Sequence, residues 1–537
     1  MRDYRDACRS LSVPELVREV LQGSLDGGMN AAIECCDRWA SNGRVALHWV
    51  GKDFAEETVT FETLRDQSSR FANMLRARGI GQGDVVASLL PRIPELLVVM
   101  LGTWRVGAIY QPLFTAFGPA AIESRVTSTR GSQARLIVTD EENHPKLDGL
   151  ANCPPVMLVD SPSAPGEFAG ALAAQSPMID SVMLCGGDPF VLLYTSGTTG
   201  SPKGVRWPLT RFLQNAIYMR DAVDLRSSDR IWNVADPGWA YGLGCGVIGP
   251  LQQGNAITFF EGGFSVEAAL RVIASQKITV LAAAPTAYRL MMAAGDAAMA
   301  PIADQLRVAC SAGEPLNPEV VRWADRVVRV PLADHYGQTE AWMVLNTHLG
   351  LRHKVKPGAA GLPMPGFSMA VLDDELRPVP PNTPGVLAIH RPTSPLFDFH
   401  GYWNAETPSF RGDWYLTGDT VQQDADGHYF FVGRDDDIIT SAGYRIGPFD
   451  VESSIIEHPS VAEVAVVGKP DPERTEIVKA YVVLRAGITP SDALKTELQQ
   501  HVRARLALHA YPREIEFIDE LPKTPSGKVQ RFLLRRR

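Results

Sequence analysis

The stretch Leu192-Leu193-Tyr194-Thr195-Ser196-Gly197-Thr198-Thr199-Gly200-Ser201-Pro202-Lys203-Gly204 opens with apolar residues and continues with hydroxyls, glycines and a lysine. The apolar opening predicts a buried strand, and the residues after it predict a loop that offers backbone N–H groups, hydroxyls and one ammonium to a phosphate chain. The loop lacks the G-x-x-x-x-G-K-[ST] spacing of a P-loop, and Pro202 stands where that motif begins its helix. A plain surface turn rich in Ser, Thr and Gly is the alternative interpretation.

Segments with helical and strand-like periodicity alternate on both sides of this loop. Helices are predicted at 64–78 and 265–275, and strands at 85–90 and 278–282. Such alternation is typical of α/β proteins, in which helices cover the faces of buried parallel sheets.

The chain after residue 433 has a different pattern. Short β-runs are predicted at 463–468, 477–485 and 514–518. Between them a helix is predicted to open at 489–492, with an N-cap residue and with Pro490 at its first position. The apolar residues of that helix recur every four positions, at Leu494, Leu498, Val502 and Leu506.

This C-terminal stretch is large enough to form a separate α+β domain. A charged run at 433–437 is hard to bury in a single core, so the sequence predicts two domains, 1–433 and 434–537. Two stretches rich in Pro, Gly and Ser, 161–177 and 377–385, are predicted as surface loops.

Composition limits the function further. The 537 residues are 45% hydrophobic and 21% charged, which is typical of a globular protein of several domains. Because 52 Lys and Arg face 61 Asp and Glu, for a net charge of −9, neither nucleic acid nor an anionic membrane is a predicted partner. Seven scattered cysteines, with no CxxC pair, suit a reducing compartment, and no secretory signal or transmembrane stretch is apparent. A cytoplasmic location is expected.

Seven further motifs follow the phosphate loop. They are Gly238-Trp239, Ser311-Ala312-Gly313-Glu314-Pro315, Asp334-His335-Tyr336-Gly337-Gln338-Thr339-Glu340, Tyr415-Leu416-Thr417-Gly418-Asp419, Gly433-Arg434-Asp435-Asp436-Asp437, Ser441-Ala442-Gly443-Tyr444-Arg445-Ile446-Gly447 and Leu521-Pro522-Lys523-Thr524-Pro525-Ser526-Gly527-Lys528. In this order, and over nearly the whole chain, the set resembles the acyl-adenylate-forming superfamily. The last four resemble the branch of acetyl-CoA and medium-chain acyl-CoA synthetases.

The resemblance implies an α/β fold. A large N-terminal domain of helix-wrapped sheets, with a β-rich subdomain near 350–430, would precede a small, mobile α+β C-terminal domain. It also implies an ATP-dependent acyl-CoA synthetase that uses Mg²⁺, ATP and coenzyme A. A carboxylate would first attack the α-phosphate of ATP to give acyl-AMP and pyrophosphate, and coenzyme A would then take the acyl group. The partners implied are a small carboxylic acid, ATP and CoA.

The resemblance also assigns the ATP and AMP contacts. They are Thr195, Ser196, Gly197, Thr198, Thr199, Gly200, Lys203, Gly313, Glu314, Pro315, Asp334, His335, Tyr336, Gly337, Gln338, Thr339, Asp419, Arg434 and Arg445. His335 is not predicted as an acid or a base, because a carboxylate substrate is already ionised at neutral pH.

Two of these residues, and the predicted metal ligand Glu340, have a physical reason beside the resemblance. Tyr336 offers an aromatic plane for a purine, although a tyrosine is also a common core residue. Thr339 can donate to a phosphate, and Glu340 supplies the hard oxygen ligand that Mg²⁺ prefers. The alternative for the last two is an exposed helix start.

Lys528 is the predicted catalytic lysine, together with Thr339 and Glu340. A mobile ammonium can orient the carboxylate and offset charge as pyrophosphate leaves. On charge alone, a lysine so near the end of the chain is more often simply solvated.

The resemblance assigns the remaining roles as well. Asp436 is the expected hinge, and Gly443, Tyr444 and Arg125 are the expected CoA contacts. The acyl pocket is assigned to Trp239, Ala240, Tyr241, Ala312 and Gly337.

The pocket departs from that of the acetate enzymes, which carry a tryptophan directly after the adenine-stacking aromatic. Gly337 stands there in this chain, and Ala240 and Ala312 are also small, whereas Tyr241 is larger than the threonine expected. We therefore predict an acid larger than acetate, of short-to-medium chain, branched or aromatic. An acetyl- or propionyl-CoA synthetase and an adenylation enzyme that loads a carrier protein are the alternatives.

The segment 522–528 also resembles a string that protein acetyltransferases recognise. A lysine acetyltransferase acting on Lys528 is therefore a predicted partner, because acetylation would remove the charge that the chemistry uses. A non-catalytic nucleotide sensor is the remaining rival function.

Overall fold

The computed structural model describes residues 1–160, 166–195, 202–434, 437–441, 444–471, 474–506, 510–524 and 528–537. The chain divides into two compact units. The first comprises Met1–Ala282, Gln338–Trp342 and Pro395–Pro408, and the second Ala283–Gly337, Met343–Ser394 and Ser409–Arg537.

The first unit contains two largely parallel sheets. One is ordered Tyr402–Trp403, Gly204–Pro208, Pro189–Tyr194, Ile109–Pro112, Val85–Leu89, Leu136–Thr139 and Val156–Leu158. The other is ordered Val280–Ala283, Ile231–Asn233, Ile257–Phe260, Val45–Val50 and Glu56–Thr60. Strands such as Val85–Leu89 are buried at every residue, as expected for parallel strands that are covered on both faces.

Helices cover these sheets. The α-helices of the unit are Tyr4–Arg9, Val13–Val20, Ala31–Cys35, Phe61–Ala77, Pro94–Arg105, Pro119–Val126, Glu167–Ala173, Arg211–Ile217, Ala240–Leu243, Gly249–Gln252 and Val266–Gln276. Short 3-10 helices lie at Asp37–Trp39 and His144–Leu147, and π-helical turns at Tyr218–Ala222 and Gly244–Ile248. The strand Arg2–Asp3 lies at the N-terminus.

The second unit contains three groups of strands. One is Leu362–Pro363, Trp342–Asn346, Leu332–Gln338 and Val308–Ala312, and the second is an antiparallel set of Met369–Leu372, Gly385–His390, Trp414–Gln423, Phe410–Arg411 and Tyr429–Arg434. The third is Tyr444–Ile446, Ile439–Ser441, Thr475–Leu484, Val461–Asp471 and Glu514–Phe517. A further short strand is Leu351–Arg352.

The helices of this unit are Pro285–Ala293, Pro318–Trp323, Pro448–Ile456, Asp492–Arg505 and Arg531–Leu534, with 3-10 or π turns at Asp296–Ile302, Ala324–Val328 and Arg391–Thr393. Pro448–Ile456 and Asp492–Arg505 pack on the third strand group, and together they bury a core that includes Val466, Ala480 and Leu498. The α/β fold class is confirmed, with a β-rich part and an α+β C-terminal part.

Most predicted elements are present within one to three residues of their expected ends. Helices Phe61–Ala77 and Val266–Gln276 and strands Val85–Leu89 and Val280–Ala283 match the prediction. In the C-terminal part the strands Val461–Asp471, Thr475–Leu484 and Glu514–Phe517 match. Residues 378–384 form no helix or strand, as predicted.

Three expectations were wrong. The stretch predicted as a loop at 161–177 contains the helix Glu167–Ala173, which buries Phe168 and Leu172. Ser491 caps the helix Asp492–Arg505, so Pro490 precedes the cap and is not the first helical residue. Leu506 is 39% exposed, because the helix ends before it, whereas the other three apolar residues of its series are buried.

Within the described residues, no helix is long and apolar enough to cross a membrane. The predicted boundary between residues 433 and 434 lies inside the second unit, and it stays a prediction.

The packing of Trp342 gives a test of the first unit. Its ring is fully buried, 5.4 Å from the ring of Trp207 and 5.5 Å from that of Tyr218. A Cβ at Gly244 would lie 2.1 Å from Cη2 of Trp342, so Gly244→Ala must displace the tryptophan. Overpacking of this kind costs about 1–3 kcal/mol, and we expect a lower midpoint of urea unfolding.

Gly170→Ala is the matched control. It lies in the helix Glu167–Ala173, and its Cβ would meet nothing within 4 Å. Alanine is the better helix former, so this variant should unfold at the wild-type midpoint or slightly above it. Equal unfolding midpoints for the two variants would contradict the close packing at Gly244.

Candidate active site

Five predicted site residues, 334–338, lie in succession on the strand Leu332–Gln338. Successive side chains of a strand point to opposite faces, and the burial follows this rule. Asp334 and Tyr336 are partly exposed, whereas His335 between them is 1% exposed. Asp334 and Tyr336 therefore share one face of the strand, and the ring of His335 lies on the other.

Tyr336 is linked to Asp419, which lies in the strand Trp414–Gln423. The hydroxyl of Tyr336 donates to Oδ2 of Asp419, and Nη1 of Arg434 lies 4.0 Å from Oδ1 of the same carboxylate. Asp419 and Arg434 are also paired across the antiparallel strands Trp414–Gln423 and Tyr429–Arg434. Burial, and then the carboxylate beside it, raise the pKa of Tyr336, so the phenol keeps its proton and remains a donor.

Burial acts in opposite directions on two neighbouring titratable groups. It raises the pKa of Asp334 to about 7, although backbone N–H groups of Leu316 and His335 oppose the shift. It lowers the pKa of His335 to about 3, so this imidazole is neutral at ordinary pH. A neutral, buried ring agrees with the expectation that His335 is neither an acid nor a base.

The second motif of this unit, 311–315, follows the strand Val308–Ala312. Both carboxylate oxygens of Glu314 accept from Oγ1 of Thr286 at 3.1 Å, and Nη2 of Arg289 donates to Oε2 at 2.7 Å. Gly313 has a φ of +97°, a backbone conformation that residues other than glycine rarely adopt. Glu314 is thus held by two residues of the helix Pro285–Ala293.

Lys528 is brought close to this motif. A Cβ at Gly313 would have only one described neighbour within 4 Å, the Cε of Lys528 at 3.8 Å. Two hydrogen bonds join Thr524 and Lys528. The N–H of Thr524 donates to the carbonyl of Lys528, and the N–H of Lys528 donates to Oγ1 of Thr524. The exposed Lys528 thus lies beside Gly313.

Further contacts join the C-terminal part to the region of 311–323. Nδ2 of Asn317 donates to Oγ of Ser453 at 3.0 Å, and Nη2 of Arg322 donates to Oε1 of Glu457 at 3.0 Å. The helix Pro448–Ile456 thereby packs against Pro318–Trp323 while Lys528 lies near Gly313.

The phosphate loop belongs to the first unit. Its two described ends are bonded to each other, because the N–H of Thr195 donates to O of Lys203 at 2.9 Å. The strands Pro189–Tyr194 and Gly204–Pro208, which flank it in the chain, pair antiparallel. The predicted contacts Ser196, Gly197, Thr198, Thr199 and Gly200 lie outside the described residues.

Thr339 and Glu340 lie in the same unit as this loop. Nε1 of Trp207 donates to the carbonyl of Thr339 at 2.8 Å, and Nη2 of Arg211 donates to the carbonyl of Glu340 at 3.1 Å. Oε1 of Glu340, a residue only 8% exposed, accepts from the hydroxyl of Tyr402 at 2.8 Å.

The residues present fit a magnesium ion that is carried in with a nucleotide. No group of three or more His, Cys, Asp or Glu side chains among the described residues could hold a metal by itself. Mg²⁺ is commonly bound by one or two carboxylates together with the oxygens of substrate phosphates and water. The single carboxylate of Glu340 suits that arrangement.

The residues assigned to the acyl pocket divide between the units. In the first unit Trp239 packs on Phe114 and Phe117, with ring centroids 5.6 and 5.7 Å apart. Tyr241 is 8% exposed, and burial raises the pKa of the nearby Cys245 thiol to about 12. In the second unit Ala312 is 1% exposed and Gly337 is partly exposed.

Arg125, an expected CoA contact, is 7% exposed. It lies 4.2 Å over the ring of Phe117, and Nη1 donates to the carbonyl of Ala121 one turn earlier in its helix. Burial lowers its pKa to about 10. The guanidinium is therefore used in packing, and its contact with CoA stays a prediction.

Some assigned residues cannot be placed. Asp436 and Gly443 lie outside the described residues, and Tyr444 and Arg445 are described only as part of the strand Tyr444–Ile446. Gln338 and Pro315 are partly exposed, each within its expected motif.

Sequence profiles decide the family. The profile of the AMP-binding enzyme family matches residues 36–403, and that of the AMP-binding enzyme C-terminal domain matches residues 450–528. The chain belongs to the AMP-binding enzyme family. It is an AMP-forming acyl-CoA synthetase, an acid–thiol ligase that uses ATP, CoA and Mg²⁺.

Relatives of the synthetase are similar along nearly its whole length. The acetyl-coenzyme A synthetase of Bacillus subtilis is 39% identical over 525 residues, which cover 95% of this chain and 90% of the relative. The mitochondrial acyl-coenzyme A synthetase ACSM3 of Rattus norvegicus is 35% identical, with 100% and 95% covered.

Solved structures agree. The Brucella canis acyl-CoA synthetase is 52% identical, with a TM-score of 0.81 and 100% of this chain and 99% of that chain covered. The anthranilate CoA ligase AuaEII, solved with anthranoyl-AMP, is 28% identical, with a TM-score of 0.86 and 95% and 97% covered.

Sequence reasoning missed several residues that support the site. Tyr402, Arg211 and Asp398 contact Glu340 or each other, and Arg289 holds Glu314. Of these residues, only Tyr402 belongs to a distinctive sequence feature, the aromatic pair Tyr402-Trp403. Its spacing does not indicate a contact with Glu340.

The raised pKa of Asp334 predicts a stability effect. Its carboxyl is protonated in the folded protein up to about pH 7 and in the unfolded chain only to about 3.8. Native stability is therefore lost as pH rises from 4 to 7, with a ceiling of about 4 kcal/mol at 1.36 kcal/mol per pKa unit. Asp334→Asn removes this loss, so its urea midpoint relative to wild type should rise between pH 4 and 7 and then level off.

Asp325→Asn is the control, because Asp325 is an exposed carboxylate in the same unit. It makes the same chemical change outside the site, and the pH dependence of Asp334→Asn is read against it. A flat pH dependence for Asp334→Asn would mean that Asp334 is charged in the folded protein throughout this range.

Proposed function

We propose that the synthetase activates a carboxylic acid larger than acetate, of short-to-medium chain, branched or aromatic. The observation that supports this proposal is the small size of three residues assigned to the acyl pocket, Gly337, Ala312 and Ala240.

The nucleoside of ATP is proposed to bind at the Tyr336–Asp419 pair. Tyr336 would stack on the adenine, which Gly313, Glu314, Pro315 and Asp334 would line. Each oxygen of a carboxylate has two lone pairs, so Asp419 can accept from ribose hydroxyls while it accepts from Tyr336. Arg434, 4.0 Å from Asp419, would be the second ribose contact.

The phosphates are proposed to be bound by the segment 195–203 and by Thr339, with Glu340 as the protein ligand of Mg²⁺. When bound, the metal offsets phosphate charge as pyrophosphate forms. Lys203 would supply a cation at the end of the loop, and Arg445 would contact phosphate after the C-terminal part turns.

Lys528 is proposed to orient the acid carboxylate against the α-phosphate. Its position beside Gly313, a residue assigned to the adenine, supports this role. In the second half-reaction the C-terminal part would turn about Asp436, withdraw Lys528 and bring Gly443 and Tyr444 to the CoA thiol. Gating by such a rotation lets one site perform two reactions.

Two finer proposals concern the acetylation of Lys528 and the cellular location of the synthetase. Acetylation by a lysine acetyltransferase would neutralise Lys528, and the exposure of this side chain supports the possibility of modification. A cytoplasmic location also stays a prediction.

Lys528→Ala tests the division of labour between the half-reactions. We expect acyl-AMP formation, measured as pyrophosphate release, to fall at least about a hundredfold, since an oriented charge at the transition state is worth about 3 kcal/mol or more. Formation of the thioester from supplied acyl-AMP and CoA should be nearly unchanged.

Lys523→Ala is the matched control, because Lys523 lies in the same segment but is paired with Glu463. It should leave both half-reactions within about twofold of wild type, as expected for a partly exposed ion pair. Equal losses in the two half-reactions of Lys528→Ala would refute the proposed role.

A panel of acids from acetate to octanoate, with branched and aromatic members, tests the acid preference. Each buried methylene contributes about 0.8 kcal/mol, or roughly fourfold, so the best acid should exceed acetate at least tenfold in kcat/KM. Gly337→Trp should lower activity on the larger acids and shift the preference toward acetate and propionate.

Two results would overturn this assignment. Wild-type preference for acetate or propionate would favour the alternative acetyl- or propionyl-CoA synthetase, and an unchanged chain-length profile in Gly337→Trp would place the pocket floor elsewhere. Acyl-AMP formation without thioester formation from free CoA would instead favour an enzyme that loads a carrier protein.

A further inference from the structure

Tyr402 connects two residues that the proposed function assigns to the metal and to the phosphates. Its hydroxyl donates to Oε1 of Glu340 at 2.8 Å, and Nζ of Lys203 lies 4.8 Å from the centroid of its ring. The three residues come from distant parts of the chain and lie within the first unit.

The position of Tyr402 is fixed by the sheet. The strand Tyr402–Trp403 pairs antiparallel with Gly204–Pro208, the strand that leaves the phosphate loop, so that Tyr402 is opposite Val205. The N–H of Tyr402 also donates to Oγ1 of Thr407 at 3.0 Å, and its ring packs edge-on against Phe399 at 5.1 Å. Its hydroxyl is thus directed by contacts on several sides.

The backbone of Glu340 is fixed separately. Its carbonyl accepts from Arg211, whose guanidinium is fully buried and lies 2.6 Å from Oδ1 of Asp398. The preceding carbonyl, of Thr339, accepts from Trp207. With the main chain held in this way, the hydroxyl of Tyr402 helps to set the orientation of the carboxylate.

We infer that Tyr402 is a positioning residue for the divalent metal: it holds Oε1 of Glu340 so that the carboxylate is oriented before Mg·ATP arrives. This inference rests on the proposed role of Glu340 as the metal ligand. Hydrogen bonds to a ligating carboxylate fix its geometry, and removal of such a partner typically weakens metal affinity about 10- to 100-fold.

Lys203 strengthens the same arrangement. An ammonium over an aromatic ring is attracted to its face, and the positive charge polarises the phenol toward a stronger O–H donor. Tyr402→Phe keeps the ring under Lys203 and removes only the hydroxyl. Tyr402→Leu removes both, so it should in addition weaken binding of the nucleotide measured without metal.

The experiment measures binding and activity separately. Mn²⁺ is titrated into wild-type and variant synthetase that is saturated with a non-hydrolysable ATP analogue, and free Mn²⁺ is read by electron paramagnetic resonance. We expect Tyr402→Phe to raise the Kd for Mn²⁺ about tenfold. The Mg²⁺ concentration for half-maximal pyrophosphate release should rise by a similar factor, while kcat at saturating Mg²⁺ recovers to near wild type.

Two controls define the result. Tyr110→Phe makes the same change at a buried tyrosine of the same unit, whose hydroxyl contacts Ser88 at 2.6 Å, and it should leave the Kd for Mn²⁺ within about twofold. Binding of the ATP analogue without any divalent metal should be unchanged in Tyr402→Phe, which shows that the variant is folded.

Glu340→Gln separates the inference from the proposed function. Weak Mn²⁺ binding in Glu340→Gln together with wild-type binding in Tyr402→Phe would overturn the inference and leave the metal ligand in place. Wild-type Mn²⁺ binding in Glu340→Gln would overturn the proposed metal role of Glu340, and the inference with it. A loss of kcat in Tyr402→Phe that excess Mg²⁺ does not restore would also overturn it.

Discussion

The first unit depends on the buried ion pair between Arg211 and Asp398. The unit is assembled from three stretches of chain, and this contact joins all of them: Arg211 comes from the first, the carbonyl of Glu340 from the second and Asp398 from the third. Burial raises the pKa of Asp398 and lowers that of Arg211, so each charge needs the other in order to remain there. Removing one partner of such a pair typically costs about 3–5 kcal/mol. The position of the Glu340 backbone therefore depends on a buried ion pair whose loss would destabilise the unit.

In the second unit, the carboxylate of Asp419 likewise connects several site residues. It lies where the strands Trp414–Gln423 and Tyr429–Arg434 pair, and it contacts both Tyr336 and Arg434. The phenol that would stack on a purine is thereby held by the carboxylate that would accept from a ribose. Under the proposed function, this single hydrogen bond would couple adenine recognition to ribose recognition.

In the motif 334–340, local rules position the first residues and long-range contacts position the last two. Its first residues belong to a strand, so alternation alone places Asp334 and Tyr336 on one face and His335 on the other. Its last two residues follow the strand, where no periodic rule applies. Their carbonyls are fixed by side chains of the segment 207–211, and the Glu340 side chain by Tyr402. Lys528 lies beside Gly313, and the C-terminal part that carries it packs on the helix Pro318–Trp323.

The sequence by itself determined the α/β class, most of the elements and the family, because hydrophobic periodicity and ordered motifs are local properties of the chain. It predicted Tyr336, Asp419 and Glu340 as site residues, each from its motif. It failed where a stretch rich in Pro, Gly and Ser still contains a buried helical face, as at Glu167–Ala173, and where one residue decides a helix boundary, as at Ser491. Only the tertiary structure decided that Arg211, Asp398 and Tyr402 support Glu340. Their sequence separations range from about sixty to nearly two hundred residues, so their contacts depend on strand pairing and on the pairing of buried charge, which no local pattern encodes.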